Sequence, residues 1–227
     1  MKLESLKALT TARAAKREIA IAMRLATGEE RVIDLTSPPE DDLDALAARA
    51  ASRDESGPAE LLGETWFINV FNPPVALVIV GAVHIAQPLS RMAAALGWTV
   101  SVIDPRTAFA SEARFPGVAV SHGWPDEALS EIGITSRTAV VTLTHDPKLD
   151  DPALQEALRG RAFYIGALGS RKTHGARCTR LVAAGFSDDA ISRIRGPVGL
   201  NINARSPAEV AVSIVGQIVE TLRAGSR

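Results

Sequence analysis

Residues 75–106, VALVIVGAVHIAQPLSRMAAALGWTVSVIDPR, constrain the fold more than any other stretch of the chain. A run of branched apolar residues leads into a glycine turn, then apolar residues at helical spacing, then a second apolar run closed by an acid. Strand, turn, helix and strand in this order open a Rossmann-like α/β sheet, because parallel neighbours need a crossover that a helix supplies. The turn departs from the GxGxxG pattern in one place. Gly81 and Ala86 stand at its first and third positions, but Val83 stands at the second, where glycine lets the backbone approach a pyrophosphate. Asp104 follows Gly81 by 23 residues, near the spacing of an acid that holds a ribose hydroxyl.

The alternation continues downstream. Strands are expected at 76–80, 99–103, 117–121, 138–142 and 162–165, with later helices at 150–159, 170–184, 188–194 and 207–223. The first crossover helix carries Ile85, Leu89, Met92 and Leu96 on one face, and Pro88 shifts its start or bends it. Ahead of the sheet the period differs. Leu3, Leu6 and Leu9 mark a helix, 19–25 and 31–35 alternate as a hairpin around a TGEE turn, and 41–51 suits a short helix. Residues 51–58 read as a flexible linker, and 65–71 as a strand stopped by Asn72, Pro73 and Pro74. A small α+β domain over residues 1–73 thus precedes a Rossmann-like parallel-sheet domain over 74–227.

Composition narrows the partners. With 46% hydrophobic and 22% charged residues and a net charge of -1, the chain has no general field favouring nucleic acid or anionic lipid. It has no apolar run of about 20 residues and no apolar signal-type core at its start, so a cytoplasmic location is expected, with no membrane partner. Cys178 is the only cysteine, which excludes an internal disulfide and any multi-cysteine metal site. His84, His122, His145 and His174 lack HxH or HExxH spacing, so no metal site is expected.

Ligands of doubly wound sheets bind beyond the carboxyl ends of the strands, and the loops there hold the unusual residues. In 164–177, YIGALGSRKTHGAR, a strand enters a glycine turn with Gly166 and Gly169, and Ser170 then caps a helix beginning Arg171, Lys172. Those cations oppose the helix dipole unless an anion joins them; the alternative is two solvated surface cations. His84 is a phosphate donor or a packing residue bonded to a carbonyl. His145 and Asp146 form a polar pair at the ligand edge. Asp104 and Arg106 hold a ribose and a phosphate, or pair with each other at the strand end. Cys178 reads as a buried structural thiol, and Trp66, Trp98 and Trp124 as core or rim packing.

Five ordered motifs, GAVHIAQ, VSVIDPR, THDPKLD, YIGALGSRKTH and GPVGLNINARSPAEVAVSI, resemble those of the xanthine dehydrogenase accessory protein family (XdhC/CoxI). The resemblance runs from Val75 to about Glu220, and residues 1–73 look like a shortened form of that family's first domain. It implies a molybdenum cofactor chaperone rather than a catalyst. Such a protein binds molybdopterin, supports its sulfuration by a cysteine desulfurase and delivers it to a molybdenum hydroxylase of xanthine or carbon monoxide dehydrogenase type. Family members are expected to be homodimers. By matched motif position, the groove residues implied are Gly81, Val83, His84, Asp104, Arg106, His145, Asp146, Gly166, Gly169, Ser170, Arg171 and Lys172, with Gly199, Arg205 and Glu209 beyond them. The alternatives are an NAD(P)-dependent oxidoreductase and a ligand-free scaffold for the dehydrogenase. Departures from the family pattern are Val83 and Asn203 where glycine is usual, Pro105 for an acid, and no cysteine in residues 1–74.

Overall fold

A computed structural model describes residues 2–224, which form two compact units, one holding the residues up to Pro73 together with the end of the last helix from Arg223, the other Pro74–Leu222. In the first, α1 (Leu3–Ala14) precedes the hairpin β1 (Ile19–Arg24) and β2 (Glu30–Asp34), paired from Ile19 with Asp34 to Met23 with Glu30. After α2 (Asp42–Ser52) come β3 (Gly57–Leu61) and β4 (Glu64–Phe71), giving an antiparallel sheet in the order β2-β1-β4-β3. Leu43 and Ala47 of α2 pack on Ala20, Ala22, Trp66 and Ile68, while Leu9 and Ala12 of α1 pack on Ile19. Asp41 caps α2 by accepting the Asp44 amide at 2.9 Å.

The linker expected over 51–58 is not one. Its first residues finish α2, and Gly57 and Pro58 open β3. Pro58 is tolerated because β3 is an edge strand, where a missing amide leaves no ladder bond unmade toward a second neighbour.

The second unit holds β5 (Ala76–Val80), α3 (Ala86–Ala95), β6 (Thr99–Ile103), β7 (Ala119–Ser121), α4 (Pro125–Ile132), β8 (Thr138–Thr142), α5 (Pro147–Arg159), β9 (Tyr164–Ala167), α6 (Arg171–Ala183), α7 (Asp188–Ser192), β10 (Ile194–Arg195) and α8 (Pro207–Ala224). All six strands are parallel in the order β10-β9-β8-β5-β6-β7, the doubly wound arrangement. Leu77, Ile79 and Val141 meet α3 and α8 on one face, and Val78, Val80 and Val140 meet α4, α5 and α6 on the other. Burial on both faces is why these strands read as unbroken apolar runs rather than alternations.

Pro88 does not delay α3, which starts at Ala86. It lies in the first turn, where a helix amide has no acceptor in any case. Leu89 is fully buried and contributes about 1.5–3 kcal/mol, whereas Leu96 caps the helix and is half exposed rather than part of the apolar face.

Candidate functional site

β5 leads outward to β6 on one side and β8 to β9 on the other, so their loops part above the middle of the sheet. Doubly wound folds bind ligands in this crevice. Gly81 ends β5 with φ +106, and a Cβ there would stand 2.6 Å from Thr144 Cγ2. The approaching β8 loop therefore requires glycine at 81 whether or not a ligand is bound. Val83 is absent from the positive-φ residues among those described, and its side chain packs against the core shared with α3 and α8. A branched residue fits there without strain. His84 is exposed in the same turn.

Asp104, at the end of β6, is fully buried. Its Oδ2 accepts the Ala82 amide at 2.8 Å and Arg106 Nη2 at 2.7 Å, and its Oδ1 accepts the Arg106 amide at 3.0 Å and Nε at 2.8 Å. Four donors fill the four acceptor sites of a carboxylate. Of the two readings of this acid, the geometry matches pairing with Arg106 at the strand end: its lone pairs are spent joining the β5 turn to the end of β6. Burial pulls the carboxyl up, but the bonds from Arg106 and Ala82 outweigh it and hold the group below its ordinary range. Arg106 also lies over the Phe109 ring at 4.7 Å.

In the β8–α5 turn, Asp146 caps α5 by accepting the Lys148 amide at 3.0 Å. His145 is exposed, with φ +62, a conformation that histidine adopts more readily than branched residues. Asp150 organises the turn from beneath. It accepts the Thr144 hydroxyl at 2.6 Å, the Thr144 amide at 3.3 Å and the His145 amide at 3.2 Å. Burial pushes its carboxyl above the ordinary range despite these donors, and burial pushes the neighbouring Arg177 guanidinium down. Sequence reading missed both residues. Asp150 sits inside the THDPKLD motif, but nothing local pairs it with an arginine 27 positions on.

The β9–α6 turn holds the cationic start. Ser170 accepts the Thr173 amide at 3.1 Å, and the exposed side chains of Arg171 and Lys172 form no hydrogen bond or ion pair among the described residues. Gly169, at φ +139, leaves room for Thr173, which an added Cβ would approach to 3.1 Å. Gly166, one of the residues implied for the groove, shapes the packing beneath the turn. It is buried within β9, where a Cβ would meet Val198 Cγ2 at 2.5 Å.

Farther out, Tyr164 donates to Gln217 Oε1 at 2.6 Å, and that oxygen also takes the Gly199 amide at 2.9 Å. Burial drives the phenol well above its ordinary range. Glu209 accepts the Arg205 and Ser206 amides at 2.7 and 2.9 Å while Ser206 takes the Glu209 amide, a capping box that starts α8. Asn203 keeps a left-handed backbone, φ +58, which asparagine tolerates. Cys178 is half-buried with its Sγ 3.6 Å from His174 Nε2. Among the described residues no three potential metal ligands gather.

The structure therefore draws Gly81, Val83, His84, Asp104, Arg106, His145 and Asp146 to the loops after β5, β6 and β8, with Gly169 to Lys172 one strand away. Residues 77–218 match the XdhC Rossmann domain. The chain belongs to the XdhC Rossmann domain family. Relatives include the molybdenum cofactor insertion chaperone PaoD of Escherichia coli strain K12, 33% identical over 148 residues, which are 65% of this chain and 40% of that protein. A probable xanthine dehydrogenase subunit of Bacillus subtilis strain 168 is 33% identical over 156 residues, 68% of this chain and 45% of that one. The chain thus spans less than half the length of these relatives. A crystal structure of a xanthine dehydrogenase from Bacillus halodurans has the same fold, with a TM-score of 0.71 at 23% identity over 97% of this chain and 67% of that one. Among the described residues no helix is long and apolar enough to cross a membrane.

Proposed function

We propose that this XdhC protein binds molybdenum cofactor at the carboxyl edge of its parallel sheet and hands it to a molybdenum hydroxylase of xanthine or carbon monoxide dehydrogenase type during maturation. The carrying observation is the start of α6, where two cations without partners among the described residues flank free helix amides beside the crevice. That donor set fits a phosphate, because amides and cations together favour an anion at a helix N-terminus. Kinship with a protein named as a molybdenum cofactor insertion chaperone supports the cargo.

In this reading residues 74–227 form the carrier domain and residues 1–73 a shortened first domain. The chain works in the cytoplasm as a homodimer, with a cysteine desulfurase as a further partner for sulfuration. The groove comprises the residues of the three turns, Gly81 to His84, His145 with Asp146, and Gly169 to Lys172, with Arg106 at its side. It serves binding and shielding, so no proton or hydride transfer is asked of it. An NAD(P) oxidoreductase reading rested on Asp104, whose four acceptor sites are filled from within.

The test is purification from a host that makes the cofactor, followed by assay of molybdenum and oxidised pterin per chain and reconstitution of a cofactor-free hydroxylase. Stoichiometric pterin and recovered hydroxylase activity are expected. Absence of both sinks the proposal.

A further inference from the structure

α6 carries an arginine where an apolar residue is expected. Arg177 and Leu181 are its buried residues, and Arg177 is 2% exposed. A lone guanidinium in such a place is unfavourable, and an apolar side chain of similar volume is often the more stable choice. Its bonding does not compensate in full. Nη2 donates to the Leu168 carbonyl at 2.8 Å and stands 3.8 Å from Asp150 Oδ2, whereas Nε and Nη1 are buried without a hydrogen-bond partner among the described residues. Asp150 is 1% exposed and turned toward different clients, Thr144 and the His145 amide.

One nitrogen therefore stands between two turns. On one side Leu168 leads through Gly169 into the cationic start of α6. On the other Asp150 fastens the turn that bears His145 and Asp146, and Thr144 of that turn abuts Gly81 of the β5 turn. A buried polar pair with unsatisfied donors is explained better by what it holds in place than by the stability it adds.

We infer that Arg177 and Asp150 are positioning residues, a buried brace that fixes the β8–α5 and β9–α6 turns relative to each other so that their ligand groups act as one site. This rests on the proposed carrier function for its ligand half. The geometric half stands without it.

Hydrogen exchange on the cofactor-free protein tests the geometry. Arg177→Met is expected to speed exchange of the Thr144 and His145 amides about tenfold, although it touches neither, and Asp150→Asn to do the same at Leu168 and Thr173. At Thr144 and His145 the double variant is expected to be no worse than Asp150→Asn, and at Leu168 and Thr173 no worse than Arg177→Met, because each residue reaches the far turn only through the other. Additive effects, or unchanged exchange across the gap, overturn the brace. If Arg177→Met does not fold, Asp150→Asn keeps the volume and one acceptor oxygen, and unchanged exchange at Leu168 and Thr173 in it is decisive. Pterin retained per chain is then measured for the same variants, with an expected loss of about tenfold at unchanged melting of the sheet. Looser turns with wild-type retention overturn the positioning role, whereas a wild-type protein that retains no pterin counts against the carrier function and leaves the exchange result to decide the brace.

Discussion

Arg106 closes on Asp104 through two parallel bonds, Nε to Oδ1 at 2.8 Å and Nη2 to Oδ2 at 2.7 Å. With the amides of Ala82 and Arg106 added, the acid becomes a fastener between the first turn and the second strand. It is the group that a nicotinamide dinucleotide needs free for its ribose. Among the described residues the exposed cations of the α6 turn, Arg171 and Lys172, have no such partner.

Asp104→Ala strands a buried amide and releases Arg106, and is expected to lower unfolding stability by about 2 kcal/mol in urea titrations. The contribution follows pH in a fixed direction. Because the folded carboxyl lies below the ordinary value of 3.8, its stabilisation is present above that pH and fades as pH falls through the folded value. NADH titrated into the wild-type protein is expected to give no saturable fluorescence change; saturation would reopen the dinucleotide reading.

Gly81→Ala places a methyl 2.6 Å from Thr144 Cγ2 on a backbone at φ +106. Clash and backbone strain together are expected to lower stability by about 1–3 kcal/mol, seen as a fall in Tm. Thr144→Ser removes Cγ2 and keeps the hydroxyl for Asp150, so added to Gly81→Ala it should recover the steric part. No recovery would place the whole effect in the backbone.

Glu30 accepts the Lys2 amide at 2.8 Å and the Ser5 hydroxyl at 2.6 Å, and these bonds hold its carboxyl at about 2, against 4.5 for an ordinary glutamate. A lowered acid stabilises above its unfolded value and loses that effect on acidification. The start of α1 is therefore expected to loosen as pH falls from 4.5 toward 2, with faster exchange of the Leu6 amide. Glu30→Gln should show the loosened exchange already at neutral pH.

Arg171→Glu with Lys172→Glu separates folding from binding by sign. Acids suit a helix N-terminus, so the cofactor-free protein is expected to gain up to about 1 kcal/mol in stability. Retained pterin is expected to fall in the same variant, and the loss in the wild type on raising salt should follow the same direction. Unchanged retention removes the two cations from the site.

The sequence by itself determined the doubly wound sheet, because strands buried on both faces must be unbroken apolar runs and crossover helices must carry one apolar face. The Ser170 cap was legible for a similar local reason, since a cap bonds amides two or three residues away. β3 was not legible. Its GPAEL stretch is a strand through pairing with β4, and an edge strand needs little apolar character of its own. Only the tertiary structure decided what the site residues do. Asp104 is committed to Ala82, Gly81 answers to Thr144, and Arg177 reaches Asp150 across two helices. Each depends on strands that fold side by side after long separation in the chain. Residue type and spacing specify which groups are available at the carboxyl edge, whereas satisfaction of buried hydrogen bonds, a property of the packed state, settles which remain free for a ligand.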